Sequence, residues 1–210
     1  VVLHKREIFC AFFVALLLVS NILVVKIVAL GSLILPAAIV VYPFCYILSH
    51  VVTEIWGFAY ARRMIFLGFA ANFMMVAFIY LCLLLPSAPA DIWPHREAFE
   101  AIFGLVPRVV AASFIAYLFG ELLNSLLMSK IKQKWGPRRL FVRTISSTAV
   151  GQAFDTGIFI TVAFWGAMPN SALLTLMFGQ YAAKMLIEMA VGTPMAYALV
   201  GYLKRTSDGN

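Results

Sequence analysis

At 210 residues, 63% hydrophobic and only 12% charged, with a mean hydropathy of +0.96, the chain is too apolar for water. Soluble domains are about half apolar and about a quarter charged, and a small domain leaves too much surface exposed to hide the surplus. The net charge of +7 would suit nucleic acid, but the basic residues sit in short clusters between apolar runs rather than on one face, which is how membrane topology is written.

Six runs reach the roughly 20 mostly apolar residues that a spanning helix needs. The first, 8–30, carries Asn21 and Lys26. It exceeds a signal-peptide core, and no small-residue cleavage site follows it, so it is read as a retained helix. The second, 33–55, is broken by Pro36 and Pro43 and has His50 one turn before Glu54. Glu54 lies near Arg62 and Arg63, so a local ion pair competes with a ligand contact there. The third, 64–85, holds Asn72 and stops at Pro86. The long connection 86–106 follows, within which 95–103 reads as a short amphipathic helix in the outer interface, or as a lid over a site.

The fourth run, 107–128, opens on Pro107, where a missing N–H costs nothing. It carries Glu121 and Asn124 three apart on one face. Its Ala112, Ala116 and Gly120 form a small-residue stripe that suits close packing inside one subunit or between two. The fifth, 140–165, carries Gln152 and Asp155, again three apart. The sixth, 172–203, carries Gln180, Lys184 and Glu188 at spacing four and is interrupted by Gly192 and Pro194. Trp56, Trp93, Trp135 and Trp165 all fall at or just beyond run ends, the headgroup level that Trp prefers.

Lys and Arg orient the runs. Lys5, Arg6, Arg62, Arg63, Lys130, Lys132, Lys134, Arg138, Arg139, Arg143, Lys204 and Arg205 fall on one side, against Arg96 and Arg108 on the other. The basic side is the cytoplasmic one. The expectation is therefore one all-α, six-helix transmembrane domain over 1–210, with both termini cytoplasmic. Cys10, Cys45 and Cys82 each lie inside an apolar run without a CxxC partner, so neither a disulfide framework nor a metal site is indicated, and no cofactor is expected. His4, His50 and His95 sit at a terminus, near one interface and in an outer loop, and no Ser-His or HExxH motif exists, so the chain does not read as an enzyme.

Ionisable and amide side chains within a span are costly and mark function by default. Glu121, Asp155, Lys184 and Glu188 lie close to the middle of their runs, and helical spacing lets one cavity gather groups from at least four helices. Each has a plainer reading. Lys184 and Glu188 can pair along one helix, and Asn21 and Asn124 can serve as interhelical hydrogen bonds. Asp155 is the exception, with no basic residue within a turn or two on its own helix.

Tyr42-Pro43-Phe44-Cys45-Tyr46 leads into Thr53-Glu54-Ile55-Trp56-Gly57 and Ala61-Arg62-Arg63. The fifth run holds Arg143-Thr144-Ile145-Ser146, Gly151-Gln152-Ala153-Phe154-Asp155-Thr156 and Ala163-Phe164-Trp165-Gly166. With Asn21 and Lys26 in the first run, and Lys184 through Glu188 to Pro194 in the sixth, this order resembles the VUT family of bacterial membrane proteins, the queuosine precursor transporters. The chain departs from many members at Ser49-His50, where they carry an acidic residue or Asn. The resemblance implies uptake of 7-cyano-7-deazaguanine and its aminomethyl relative across the bacterial inner membrane. It also implies a fold similar to the substrate-binding subunits of energy-coupling-factor transporters.

A deazaguanine presents adjacent N–H donors that a carboxylate accepts, acceptors that suit Lys, Asn or Gln, and a flat ring that stacks on aromatics. The candidate binding residues are Asp155, Gln152, Glu121, Asn124, Asn72, Lys184, Glu188, Tyr46, Glu54 and Lys26, with Tyr42 and Phe154 as further ring partners. Asp155 backed by Gln152 is expected to read the guanine-like edge. The partners expected are this small molecule and the bilayer, with no nucleic acid. A homodimer stays open. So does the alternative of a binding subunit that docks on an ATP-driven ATPase module for another purine-like or vitamin substrate.

Overall fold

The computed structural model describes residues 5–31, 33–135, 140–192, 194–195 and 198–199. Helices dominate them: α1 (Lys5–Leu23), α2 (Tyr42–Trp56), α3 (Phe58–Leu84), α4 (Arg96–Phe103), α5 (Val106–Trp135), α6 (Leu140–Phe164) and α7 (Asn170–Ile187).

The first two expected spans are not continuous helices. α1 ends at Leu23, and the chain enters an antiparallel hairpin of β1 (Ile27–Leu30) and β2 (Leu33–Pro36), with Ile27 opposite Pro36 and Leu30 opposite Leu33. The reason is local. Val24, Val25, Ile27 and Val28 are β-branched and stiff, which favours extended backbone. Gly31 turns the hairpin at φ +62, a left-handed conformation that glycine adopts without a Cβ clash. Pro36 has no N–H for a helix, and a 3₁₀ turn (Ala37–Val40) follows it before α2 begins, with Pro43 in its first turn. Lys26 is therefore exposed at the base of a hairpin rather than inside a helix. The 15 residues of α2 extend only about 22 Å, less than the roughly 30 Å of a bilayer core.

The remaining boundaries lie close to expectation. α3 starts six residues earlier than the apolar run, after Gly57 at φ +82, and the stretch expected as a short outer helix forms α4. α5 runs on to Trp135. α7 gives way to a π-helical turn, Glu188–Gly192. Pro194 supplies the cause, since in a regular helix its ring would collide with the carbonyl of residue 190.

Lys5–Leu23, Phe58–Leu84 and Arg96–Gly120 are long and apolar enough to cross a membrane. α7 falls short in composition because it carries Asn170, Gln180 and Lys184. Phe12, Phe66, Phe78, Leu81 and Phe178 stand exposed, a surface that lipid tolerates and water does not.

Two of the packed groups among the described residues position the helices. Phe13, Cys45, Val52, Ala61 and Met64 join α1, α2 and α3. Val109, Ala112, Ala116, Phe159, Ile160, Ala163, Leu173 and Leu176 join α5, α6 and α7, with Val24 and Ala38 packed in from the hairpin region. The small-residue stripe of α5 thus packs inside the subunit. A Cβ on Gly120 would sit 3.0 Å from the Asp155 Cβ and 3.2 Å from the Gly151 carbonyl. Phe69 and Phe73 stack edge-on against Phe114, tying α3 to α5. Gly179 lets α7 touch β2, where any Cβ would lie 2.6 Å from the Ile34 carbonyl oxygen. Arg108 closes the far end of α6 by donating from Nε to the Val162 carbonyl and from Nη2 to the Trp165 carbonyl, both at 2.6 Å. Those carbonyls have no partner within the helix.

Candidate functional site

Among the described residues, two polar clusters lie between the packed helices, and they differ in whether their groups are used up. In the first, the Asn21 Nδ2 donates to the Asn72 Oδ1 at 2.7 Å, the Asn72 Nδ2 donates to the Gly68 carbonyl at 2.8 Å, and the Ser113 hydroxyl donates to the Asn21 Oδ1 at 2.9 Å. Asn72 is fully buried and commits both ends of its amide to the protein. This cluster ties α1, α3 and α5 together, the interhelical role weighed for Asn21.

The second cluster joins α6, α7 and the start of α2. Gln152, Asp155 and Thr156 share one face of α6 because residues three and four apart are neighbours on a helix. Gln180, Lys184 and Glu188 share one face of α7 for the same reason. The Lys184 Nζ lies 2.8 Å from the Asp155 Oδ2, with the two side chains 3% and 19% exposed. The same ammonium lies 3.4 Å from the Tyr42 hydroxyl and 4.4 Å from the centre of its ring, within cation–π range. Lys184 thus finds its close carboxylate across the helix interface, on Asp155. Glu188 is near enough to feel the same charge and takes a hydrogen bond from Gln152.

The pairing of 155 with 184, and of 152 with 188, sets the antiparallel register of α6 and α7. Thr156 follows Asp155 on the same face of α6, and Gln180 lies one turn before Lys184 on its face of α7. Thr156 is 1% exposed and Gln180 7% exposed. The Thr156 Oγ1, the Gln180 Oε1 and the Glu188 Oε2 are buried with no hydrogen-bond partner among the described residues. Buried polar atoms normally have partners, which makes this cluster the candidate site. Glu188 also opens the π-helical turn, a widened geometry that is frequent at functional sites.

The structure brings Asp155, Gln152, Lys184 and Glu188 together, adds Tyr42 beside them, and places Asn72 in the other cluster. Glu54 is exposed in the last turn of α2, and Lys26 is exposed at the hairpin base. Phe154 is exposed rather than turned into the cluster. The side chains of Tyr46, Glu121 and Asn124 lie outside the described residues. Thr156 was not singled out from the sequence. The signal for it was its position four residues after Gln152 and beside Asp155, on the face that carries the charge.

Residues 36–199 match the family described as "Putative vitamin uptake transporter". The chain belongs to this family. Its members are transporters rather than enzymes by that description, and the match takes in all of the second cluster. Within the vitamin uptake transporter family, the chain is similar to the "Probable queuosine precursor transporter" of Bacillus subtilis (strain 168), 34% identical over 85% of this chain and 77% of the relative. It is also similar to the "Queuosine precursor transporter" of Escherichia coli (strain K12), 26% identical over 80% of this chain and 74% of the relative. The "Probable queuosine precursor transporter" of Haemophilus influenzae is 28% identical over 76% of this chain and 65% of the relative. No solved structure matches the chain.

Proposed function

We propose that this protein imports queuosine precursors, 7-cyano-7-deazaguanine and its 7-aminomethyl relative, across the bacterial inner membrane. It does so as a six-span carrier with both termini in the cytoplasm. α1, α2, α3, α5, α6 and α7 with its π-turn extension would be the spans, α2 completed by the hairpin before it. The observation that carries this reading is the α6–α7 cluster, a buried ion pair surrounded by buried acceptors without donors, in a chain whose relatives bear that transport name. Irregular backbone at membrane depth occurs where it is buried in protein or lines a cavity. The hairpin and the π turn both adjoin the cluster through α7, as expected of segments that move to expose a midplane site to each side in turn.

Chemistry supports the substrate class. Lys184 suits the ring carbonyl of a deazaguanine, the Tyr42 ring offers a stacking face, and the acceptor atoms suit its N–H groups. The test is rescue. Cells lacking both deazaguanine synthesis and their own importer should regain queuosine in tRNA when given 7-cyano-7-deazaguanine and this chain. They should not when given Lys184→Met at equal membrane abundance. Absence of queuosine with the abundant wild-type protein would defeat the reading. Uptake by the purified chain alone in liposomes would show that no ATPase module is required.

A further inference from the structure

Resting on the transport reading above, we infer that Glu188, rather than Asp155, reads the donor edge of the ligand, and that Gln180 and Thr156 accept its remaining N–H groups. Three observations carry this. Asp155 already has a partner, because its Oδ2 receives the Lys184 ammonium at 2.8 Å. Glu188 keeps one oxygen, Oε2, buried without a partner among the described residues, and the same is true of the Thr156 Oγ1 and the Gln180 Oε1. Thr156 and Gln180 are more than nine-tenths buried, at 1% and 7% exposure, and Glu188 is partly buried.

A set dominated by acceptors asks its ligand to bring donors. From Gln180 to Glu188 the stripe runs about 12 Å along α7, long enough to face a flat bicyclic ring. A guanine-type ring carries a ring N–H next to an exocyclic amine, plus a second ring N–H at its far end. The hypoxanthine type lacks the amine. An adenine-type ring turns an acceptor nitrogen towards any carboxylate that takes its amine. Acceptors at both ends of the stripe, with Lys184 between them to meet a carbonyl, therefore select the guanine type. The amine is the group that Glu188 discriminates.

The experiment measures dissociation constants on the purified full chain by calorimetry. The ligands are 7-cyano-7-deazaguanine and the same ring without its 2-amino group. Wild type is expected to prefer the amine-bearing ring by about tenfold to a hundredfold, the worth of one hydrogen bond to a charged group. In Glu188→Gln the preference should shrink to about threefold or less. Gln180→Leu and Thr156→Val should weaken both ligands together by about tenfold while leaving the ratio near wild type. If Glu188→Gln loses its folded, monodisperse form in detergent, Glu188→Asp carries the same test, because a carboxylate drawn back by one methylene should also narrow the ratio. An unchanged preference in the Glu188 variants, or wild-type affinity in both Gln180→Leu and Thr156→Val, would overturn the assignment. Failure of wild type to bind either ring would overturn the transport reading first and this inference with it.

Discussion

Lys184 and Asp155 each make the other tolerable. An ion pair taken out of water gains little net stability, but removing one partner leaves an uncompensated buried charge at a cost of about 3–5 kcal/mol. Lys184→Met and Asp155→Leu should therefore each destabilise the folded protein by about 3 kcal/mol in a reversible detergent unfolding assay. The double variant should be more stable than either single one. Equal and additive losses would mean the two charges do not interact. Asn72 makes a neutral counterpart. Asn72→Leu orphans the Asn21 amide and should lower stability by about 1–2 kcal/mol, more than the roughly 0.6 kcal/mol average for a single interhelical hydrogen bond in a bilayer. The stripes at 152/155 and 180/184/188 were legible in the sequence because spacing alone fixes a helix face. Which carboxylate takes Lys184 was not. Glu188 is one turn away on the same helix, whereas Asp155 is 29 residues distant and adjoins Lys184 only through the register of α6 against α7. Thr156 stayed hidden for a chemical reason: a lone hydroxyl is common in membrane helices and raises no alarm until its surroundings show that it has nothing to bond.

The elements were read well where hydropathy and helix agree, in α3, α5 and α6. They were misread at 24–41, where a strand and a helix look the same to a window that only averages hydrophobicity. The β-branched run and the lone glycine at 31 were the overlooked signals. The π turn has its own test. Pro194→Ala removes the residue that forbids a regular helix, and the turn should then tighten and rotate Glu188 away from Gln152. Substrate affinity should fall about tenfold, the value of one charged hydrogen bond, with the protein at least as stable as wild type. A binding curve matching the wild type would mean the widened turn has no part in the site. Between α5 and α6, Gly120→Leu would drive its side chain into the Asp155 Cβ and the Gly151 carbonyl. Overpacking of that kind costs about 1–3 kcal/mol, readable as a lowered unfolding midpoint together with weaker substrate binding.

At the scale of the whole molecule, the basic residues predict an arrangement that can be probed from either side of the membrane. With Cys10, Cys45 and Cys82 replaced, single cysteines at Lys5 and Lys204 should react with an impermeant maleimide only when the cytoplasmic face is open. A cysteine at His95 should react in intact spheroplasts. Labelling of the Lys5 and Lys204 positions from opposite sides would rule out an even number of crossings, and labelling of His95 from the same side as Lys5 would rule out three crossings between them. Membership of the membrane class was legible from composition alone. The site's position was not, because it depends on α6 and α7 being antiparallel neighbours with their polar faces turned to each other. One tight contact in that arrangement reaches beyond any purified preparation. At Gly179 the hairpin backbone comes so near α7 that there is no room for a methyl group, while its neighbour Phe178 is exposed. In a library of every single substitution selected for growth on the imported nutrient, position 179 should therefore tolerate nothing but glycine, beside a permissive position 178 that accepts almost any greasy residue. That contrast between adjacent codons would report hairpin docking inside living cells.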